Sequence, residues 1–254
     1  MKVVILAGGF GTRLSEYTDR IPKPMVEIHG KPILVHLMEN YYDQGFDEFI
    51  IALGYKASYV KNYFVQQLQT HGNLSIDFAS GRSVVNDAAG PKYKVDLIDT
   101  GINSLTGDRL RELRQYLTER FMFTYGDGLS DVNLKELLKF HEQKQSIATI
   151  SAVRPRARFG ALEISDNGIV ESFKEKPQTE AGRINGGFMV MEPEIFQYLS
   201  DYQCILEREP LEQLCATGKL AAFKHDGFWH CIDTKRDLDE ANAFDPKSYP
   251  WKVK

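Results

Sequence analysis

Val3-Val4-Ile5-Leu6-Ala7-Gly8-Gly9-Phe10-Gly11-Thr12-Arg13 is an apolar, β-branched run that breaks at once into three glycines, a hydroxyl and an arginine. Four apolar residues with that bias, stopped by glycine, read as a buried strand. Glycine lets successive main-chain N–H groups turn inward and approach a ligand, which makes a nest for phosphate oxygens. A loop at the end of a first strand lies where open α/β sheets bind ligands. An ordinary tight turn would use the same glycines. Neither a Walker loop, which needs Gly-Lys-Ser/Thr, nor the dinucleotide fingerprint Gly-x-Gly-x-x-Gly fits, because Thr12-Arg13-Leu14 follows Gly11.

Outward from this loop the chain alternates β-branched runs with amphipathic ones. The spacing predicts strands at Val3–Leu6, Phe49–Ala52, Leu74–Phe78, Val95–Ile98 and Phe121–Thr124, and helices at Ile33–Gln44, Ala57–Gln69, Gly107–Leu117 and Leu134–His141. Gly45, just past an apolar stripe, is placed to end its helix. Such a rhythm implies βαβ units and a largely parallel sheet. Ala79–Tyr93 mixes Gly, Asn, Asp, Ala and Pro without a sustained period and is expected to be an excursion loop. In the second half Ile147–Val153, Ala161–Ile164 and Ile169–Lys174 follow one another as strands, with Asn167-Gly168 as a hairpin turn, and Gly187–Met191 and Leu220–Lys224 join them. The expected architecture is therefore a Rossmann-like, three-layer α/β/α fold with a mixed, mainly parallel sheet and a small β-rich cover. One domain spans 1–254, divided near residue 130.

The 254 residues, 43% of them apolar, suffice for one sizeable core. A net charge of -4, with its cations dispersed, offers no footprint for nucleic acid or an anionic membrane surface. The opening residues lack a signal peptide's pattern and no apolar run approaches the ~20 residues that span a bilayer, so the expected location is the cytoplasm. Cys204, Cys215 and Cys231 show no CxxC spacing and are expected to be buried, reduced thiols. The histidines show no metal-ligand spacing and none is assigned to catalysis.

Two further features carry chemistry. In Ile21-Pro22-Lys23-Pro24-Met25 two prolines fix the backbone around one lysine, which is more than a solvated surface charge requires. In Gly126-Asp127-Gly128 a carboxylate stands at the end of a strand, where it could ligate Mg²⁺ with substrate phosphates or simply form a turn or cap.

Gly-Gly-x-Gly-Thr-Arg-Leu, then Pro-Lys-Pro-Met, then Lys31-Pro32, resembles the signature of the sugar-1-phosphate nucleotidyltransferases, and the resemblance covers nearly the whole chain. It implies that Gly8, Gly9, Gly11 and Thr12 line a nucleoside triphosphate, with Leu6, Ala7 and Gly126 beside them, and that Arg13 and Lys23 neutralise it. Lys23, Arg13 and Asp127 are then the catalytic residues. The resemblance makes Asp233, late in Trp229-His230-Cys231-Ile232-Asp233, the second Mg²⁺ ligand with Asp127. Asp233 or Thr234 could equally cap a helix beginning near Lys235.

Phe159-Gly160, Glu175-Lys176-Pro177 and Asn185-Gly186-Gly187 resemble the family's sugar segments. By that likeness Gly160 admits the ring, Glu175 and Asn185 take hydroxyls beside Gly186, and Lys176 takes the 1-phosphate. Finer details, Arg13-Leu14-Ser15-Glu16 and Leu105-Thr106-Gly107-x-Arg109 among them, look like the cytidylyl branch, which joins CTP to glucose 1-phosphate. They put Ser104, Thr106 and Arg109 on the nucleotide side. A homo-oligomer is expected on the same grounds. Two departures stand out: 79–93 matches the family poorly, and His230-Cys231 replaces a polar-proline pair. A nucleotide-sugar glycosyltransferase would show Asp-x-Asp where this chain has the single acid Asp127. A sugar-nucleotide sensor would have no need of Arg13, Lys23 and both carboxylates.

Overall fold

Val3, Val4, Ile5 and Leu6 are all buried because their strand lies inside a sheet with a parallel neighbour on each side and helices over both faces. The computed structural model describes residues 1–86, 90–155, 161–165, 169–174 and 182–253. Its central sheet has seven strands: β1 (Lys2–Leu6), β2 (Glu48–Leu53), β3 (Lys94–Asp99), β4 (Phe121–Tyr125), β5 (Ala148–Val153), β6 (Ile184–Met191) and β7 (Leu220–His225). Their spatial order is β7-β5-β6-β4-β1-β2-β3. β6 runs antiparallel to β4 and β5, and all other neighbours are parallel. The mixed, mainly parallel sheet is the one expected.

Alternate side chains of each strand enter different cores. Val3, Ile5, Phe49 and Ile51 pack with Leu34, Leu37, Met38 and Tyr41 of α1 (Ile33–Asp43), Val60 of α2 (Ala57–Thr70) and a third helix, Leu134–Lys144. The α1 residues recur at intervals of three and four, so one stripe meets the sheet, and Gly45, with φ +94°, turns the chain out past its end. On the opposite face Val4, Leu6, Ile50 and Ala52 pack against Leu110 and Leu113, from the helix Thr106–Glu112 and its end, and against Leu211 and Leu214 of Glu209–Ala216. This is the three-layer arrangement.

A third cluster lies beyond the sheet's edge. Leu14, Val26, Ile28 and Ile33 from the first part of the chain bury themselves against Leu129, Ile232, Leu238, Ala241 and Trp251. The strand Trp229–Cys231 pairs antiparallel with Gly128–Ser130, and His29 bonds Asn242 and Phe244, so the last part of the chain is fastened to the segments that follow Asp127 and Pro24.

The expected helix Gly107–Leu117 is shorter, Thr106–Glu112 followed by a 3₁₀ turn at Arg114–Tyr116, and Leu134–His141 runs on to Lys144. A larger correction concerns 79–93. Arg82–Asn86 is a strand that pairs antiparallel with Asn73–Asp77, making a hairpin where a loop was expected. The first of these strands was expected, at Leu74–Phe78; the second, Arg82-Ser83-Val84-Val85-Asn86, is almost wholly exposed and shows no alternation of apolar and polar residues. Ala161–Ile164 and Val170–Lys174 pair as the expected small cover, while the Asn167-Gly168 turn lies outside the described residues. All three cysteines are free, but only Cys204 is buried: Cys231 is half-buried, and Cys215 is exposed because Glu209–Ala216 turns Leu211 and Leu214 inward and Cys215 outward.

Candidate active site

At the carboxyl ends of β1 and β4 a cleft of about 470 Å³ opens above the sheet. Leu6, Ala7, Gly8, Gly9, Gly11, Lys23, Ser104, Thr106, Arg109, Gly126 and Asp127 all line it. Thr12 and Arg13, in the 3₁₀ turn that follows, stand exposed at its rim. Two features shape the loop. Gly11 has φ +64°, where a side chain would be strained, and a Cβ at Gly8 would stand 2.2 Å from Nη1 of Arg109. No main-chain partner among the described residues takes the N–H groups of Gly8, Gly9, Phe10 or Gly11. An anion can therefore be met by donors that the fold itself does not use.

Arg109 forms the floor. Its terminal nitrogens donate to the carbonyls of Gly8 (2.8 Å), Leu53 (2.9 Å) and Gly101 (2.8 Å) and to Oγ1 of Thr100 (2.9 Å). It lines the cleft, but its guanidinium is taken up by the scaffold. Ser104 donates to the Thr100 carbonyl, and Thr106 donates to Glu207 at 2.6 Å. The Tyr125 hydroxyl also donates to Glu207, and burial, ahead of the Glu207 charge, pushes its pKa far up.

At the mouth stands Lys23, whose side chain is 12% exposed. Its Nζ lies 2.6 Å from a carboxylate oxygen of Asp127 and 2.6 Å from one of Asp233, and Arg13 reaches the other Asp233 oxygen at 2.7 Å. Burial by itself would lower the lysine's pKa, but the two carboxylates outweigh it and hold the ammonium above its ordinary value. Burial would likewise raise Asp233, and Lys23 and Arg13 outweigh it and hold that carboxyl below the ordinary value. Thr234, not Asp233, caps the final helix Lys235–Asn242, through a reciprocal pair with Asp237. Asp233 is left free to face Lys23. Cys231 stands beside the pair, its thiol pushed far up in pKa by burial and then by Asp127 and Asp233.

Asn185 and Gly186 sit at the start of β6, outside the cleft's lining, where the pairing with β5 slips. The Asn185 side-chain oxygen accepts from the Gly187 N–H at 2.9 Å, and the Gly186 carbonyl accepts from the Trp229 indole at 2.8 Å. Gly160, Glu175 and Lys176 lie outside the described residues. Ile102, Asn103, Tyr125, Ile205 and Glu207 of the lining were not signalled in the sequence, and Phe10 and Leu105 were only members of motifs whose other residues carried the expectation. Glu207 had no signal of its own, because Glu207-Arg208-Glu209-Pro210 is the acidic, proline-marked approach that any helix start, here Glu209–Ala216, can show.

The chain matches the nucleotidyl transferase family over residues 2–248. It is 43% identical to a glucose-1-phosphate cytidylyltransferase of Salmonella typhi, over 100% of this chain and 99% of that one. Against a probable glucose-1-phosphate cytidylyltransferase of Bacillus subtilis it is 41% identical over the full length of both. Among solved structures HddC from Yersinia pseudotuberculosis superposes with a TM-score of 0.68 at 29% identity, covering 95% of this chain and 97% of that one. The glycine loop, the lysine between prolines and the two converging carboxylates are thus found in a chain that belongs to the nucleotidyl transferase family, beside its glucose-1-phosphate cytidylyltransferases.

Proposed function

We propose that the cleft joins CTP to α-D-glucose 1-phosphate, giving CDP-glucose and pyrophosphate. The observation that carries this reading is the Lys23–Asp127–Asp233 cluster at the mouth of the glycine-loop cleft, in a chain similar end to end to glucose-1-phosphate cytidylyltransferases. A phosphate oxygen of the sugar phosphate attacks the α-phosphorus in line, the bond to the β-phosphate breaks, and pyrophosphate leaves. The nucleophile is already an anion, so no base and no covalent enzyme intermediate is needed; positioning and charge neutralisation carry the rate.

Residues of the first 130 positions take the nucleotide, with the free N–H groups of the loop on its phosphates. Lys23 exchanges carboxylate oxygens for phosphate oxygens, and Arg13 swings from Asp233 at the rim. The later part takes the sugar phosphate, with Asn185 and Gly186 next to the mouth and Gly160, Glu175 and Lys176 assigned by family likeness. Asp127 and Asp233 fit a divalent cation, because both already converge on one positive centre and both are oxygen donors. Mg²⁺ held there would supply positive charge to the reacting phosphates.

Pyrophosphate release, measured for the four nucleoside triphosphates against several sugar 1-phosphates, tests the reading. Cytosine presents an amino donor where uracil and thymine present an acceptor, so the expected preference for CTP over UTP and dTTP in kcat/KM is about 10–10²-fold, from a mispaired buried group costing about 1–3 kcal/mol. Equal use of UTP or dTTP overturns the CTP assignment and leaves the family's chemistry in place. The same reading includes a homo-oligomer, supported by the exposed Leu74, Ile76, Phe78 and Val84 on the hairpin, and light scattering checks it.

A further inference from the structure

Cys231 occupies the last position of the strand Trp229–Cys231, directly opposite Gly128, and the Ile232 N–H donates to the Asp127 carbonyl at 2.9 Å. This short pairing brings a carboxylate oxygen of Asp127, the Sγ of Cys231 and a carboxylate oxygen of Asp233 within 4.8 Å of one another. The point on which the carboxylates converge already attracts a cation, the Lys23 ammonium. Where the family pattern has proline, this chain has a thiol against that point. Among the described residues no other group of three such side chains comes this close.

Two carboxylates suit Mg²⁺, which has little use for sulfur. Adding a thiolate changes the selectivity, since soft sulfur favours Zn²⁺, Co²⁺ and other thiophilic divalent ions while carboxylates accept them too. Ligand distances of about 2.0–2.3 Å need the three side chains to draw together by roughly an ångström, which side-chain rotation supplies. We propose that Cys231 is a third donor at the Asp127–Asp233 cation site, and that the site captures a thiophilic divalent metal in an oxygen-oxygen-sulfur set, displacing Lys23. The thiol proton leaves to solvent as the sulfur–metal bond forms. Such an ion competes with Mg²⁺ for the same two carboxylates, so the site has two metal states. The inference rests on the assignment of Asp127 and Asp233 as the ligands of the catalytic cation.

Cobalt reports sulfur ligation directly. Titrating Co²⁺ into the full chain without nucleotide is expected to raise a thiolate-to-cobalt charge-transfer band in the near ultraviolet that saturates at one equivalent. The band is lost in Cys231→Ser and kept in Cys204→Ser and Cys215→Ser. Zinc affinity, measured by chelator competition, is expected to fall more than about 10-fold in Cys231→Ser, since even outer partners of a metal ligand are worth 10–100-fold. Manganese binding, followed by electron paramagnetic resonance, separates the two assignments. Mn²⁺ bound to the wild type without any cobalt band, or a band that survives Cys231→Ser, overturns the role of Cys231 and leaves the carboxylate pair standing. Failure to bind either ion overturns both.

Discussion

A buried cation and a half-buried one stand on either side of the glycine loop, and they are treated in opposite ways. Arg109, behind it, is bonded to Gly8, Leu53, Thr100 and Gly101, groups of the scaffold that no substrate can displace. Lys23, in front, is bonded to Asp127 and Asp233, the carboxylates proposed above as ligands of a metal ion. A saturated cation fixes shape, and an exchangeable one is free for chemistry. The planar guanidinium suits the first task, because several carbonyls can be met by one rigid fork; a single mobile ammonium suits the second.

Substitutions at the exchangeable end should strike turnover and spare the fold. Asp127→Asn and Asp233→Asn are expected to lower kcat by about 10³-fold or more, since each removes a metal-ligand charge worth several kcal/mol in the transition state, with circular dichroism unchanged. Normal turnover at limiting Mg²⁺ would remove the residue concerned from the cation site. Lys23→Ala should cost about 10²–10³-fold in kcat, the usual loss for one preorganised charge stabiliser. An unaltered rate there would make Lys23 an ion-pair partner and nothing more.

At the saturated end the order reverses. Arg109→Lys should destabilise the chain by about 2–3 kcal/mol in urea unfolding, as buried carbonyls lose their donors, while kcat of the folded fraction falls less than about tenfold. A large kcat loss at full stability would erase the contrast between the two cations.

The smallest effect is on pH dependence. Asp233 is held below its ordinary 3.8, so its contribution to stability is complete above that value and is lost as pH falls through the depressed folded one. Lys23 is held above 10.5, so its contribution is complete below that value and is lost as pH rises through the raised one. The cluster's contribution should therefore be complete and independent of pH around neutrality, and Lys23→Met should flatten the acid and alkaline limbs of the unfolding free energy. Limbs that match the wild type would mean that the cluster does not couple to folding.

The sheet was legible because burial on both faces forces unbroken β-branched runs such as Val3–Leu6 and Phe49–Leu53, and because amphipathic helices must repeat at the helical period. Of the hairpin at Asn73–Asn86 only the first strand was legible; the second, Arg82-Ser83-Val84-Val85-Asn86, is exposed and does not alternate, so nothing in its composition marks it. In the cleft the residues signalled in advance are those whose chemistry is tied to backbone shape: Gly8 and Gly11, Lys23 between its prolines, Asp127 beside Gly126. Glu207 and Cys231 reach the site only through tertiary packing, from a helix approach and a strand end that no local motif marks. That Arg109 serves the scaffold was equally invisible, because the same residue type holds phosphates and carbonyls alike.

The third hydrophobic cluster has a bearing on how the molecule comes into being. Asp233 follows Lys23 by 210 residues, and Trp251 and Leu238 follow later still, yet they pack against Leu14, Val26 and Ile28 around the Pro-Lys-Pro segment. Translation therefore delivers the glycine loop and Lys23 about a hundred residues before Asp127 and about two hundred before Asp233. A nascent chain already holds most of the parallel sheet while its lysine still lacks Asp233, and the site closes only after residue 233 has been made.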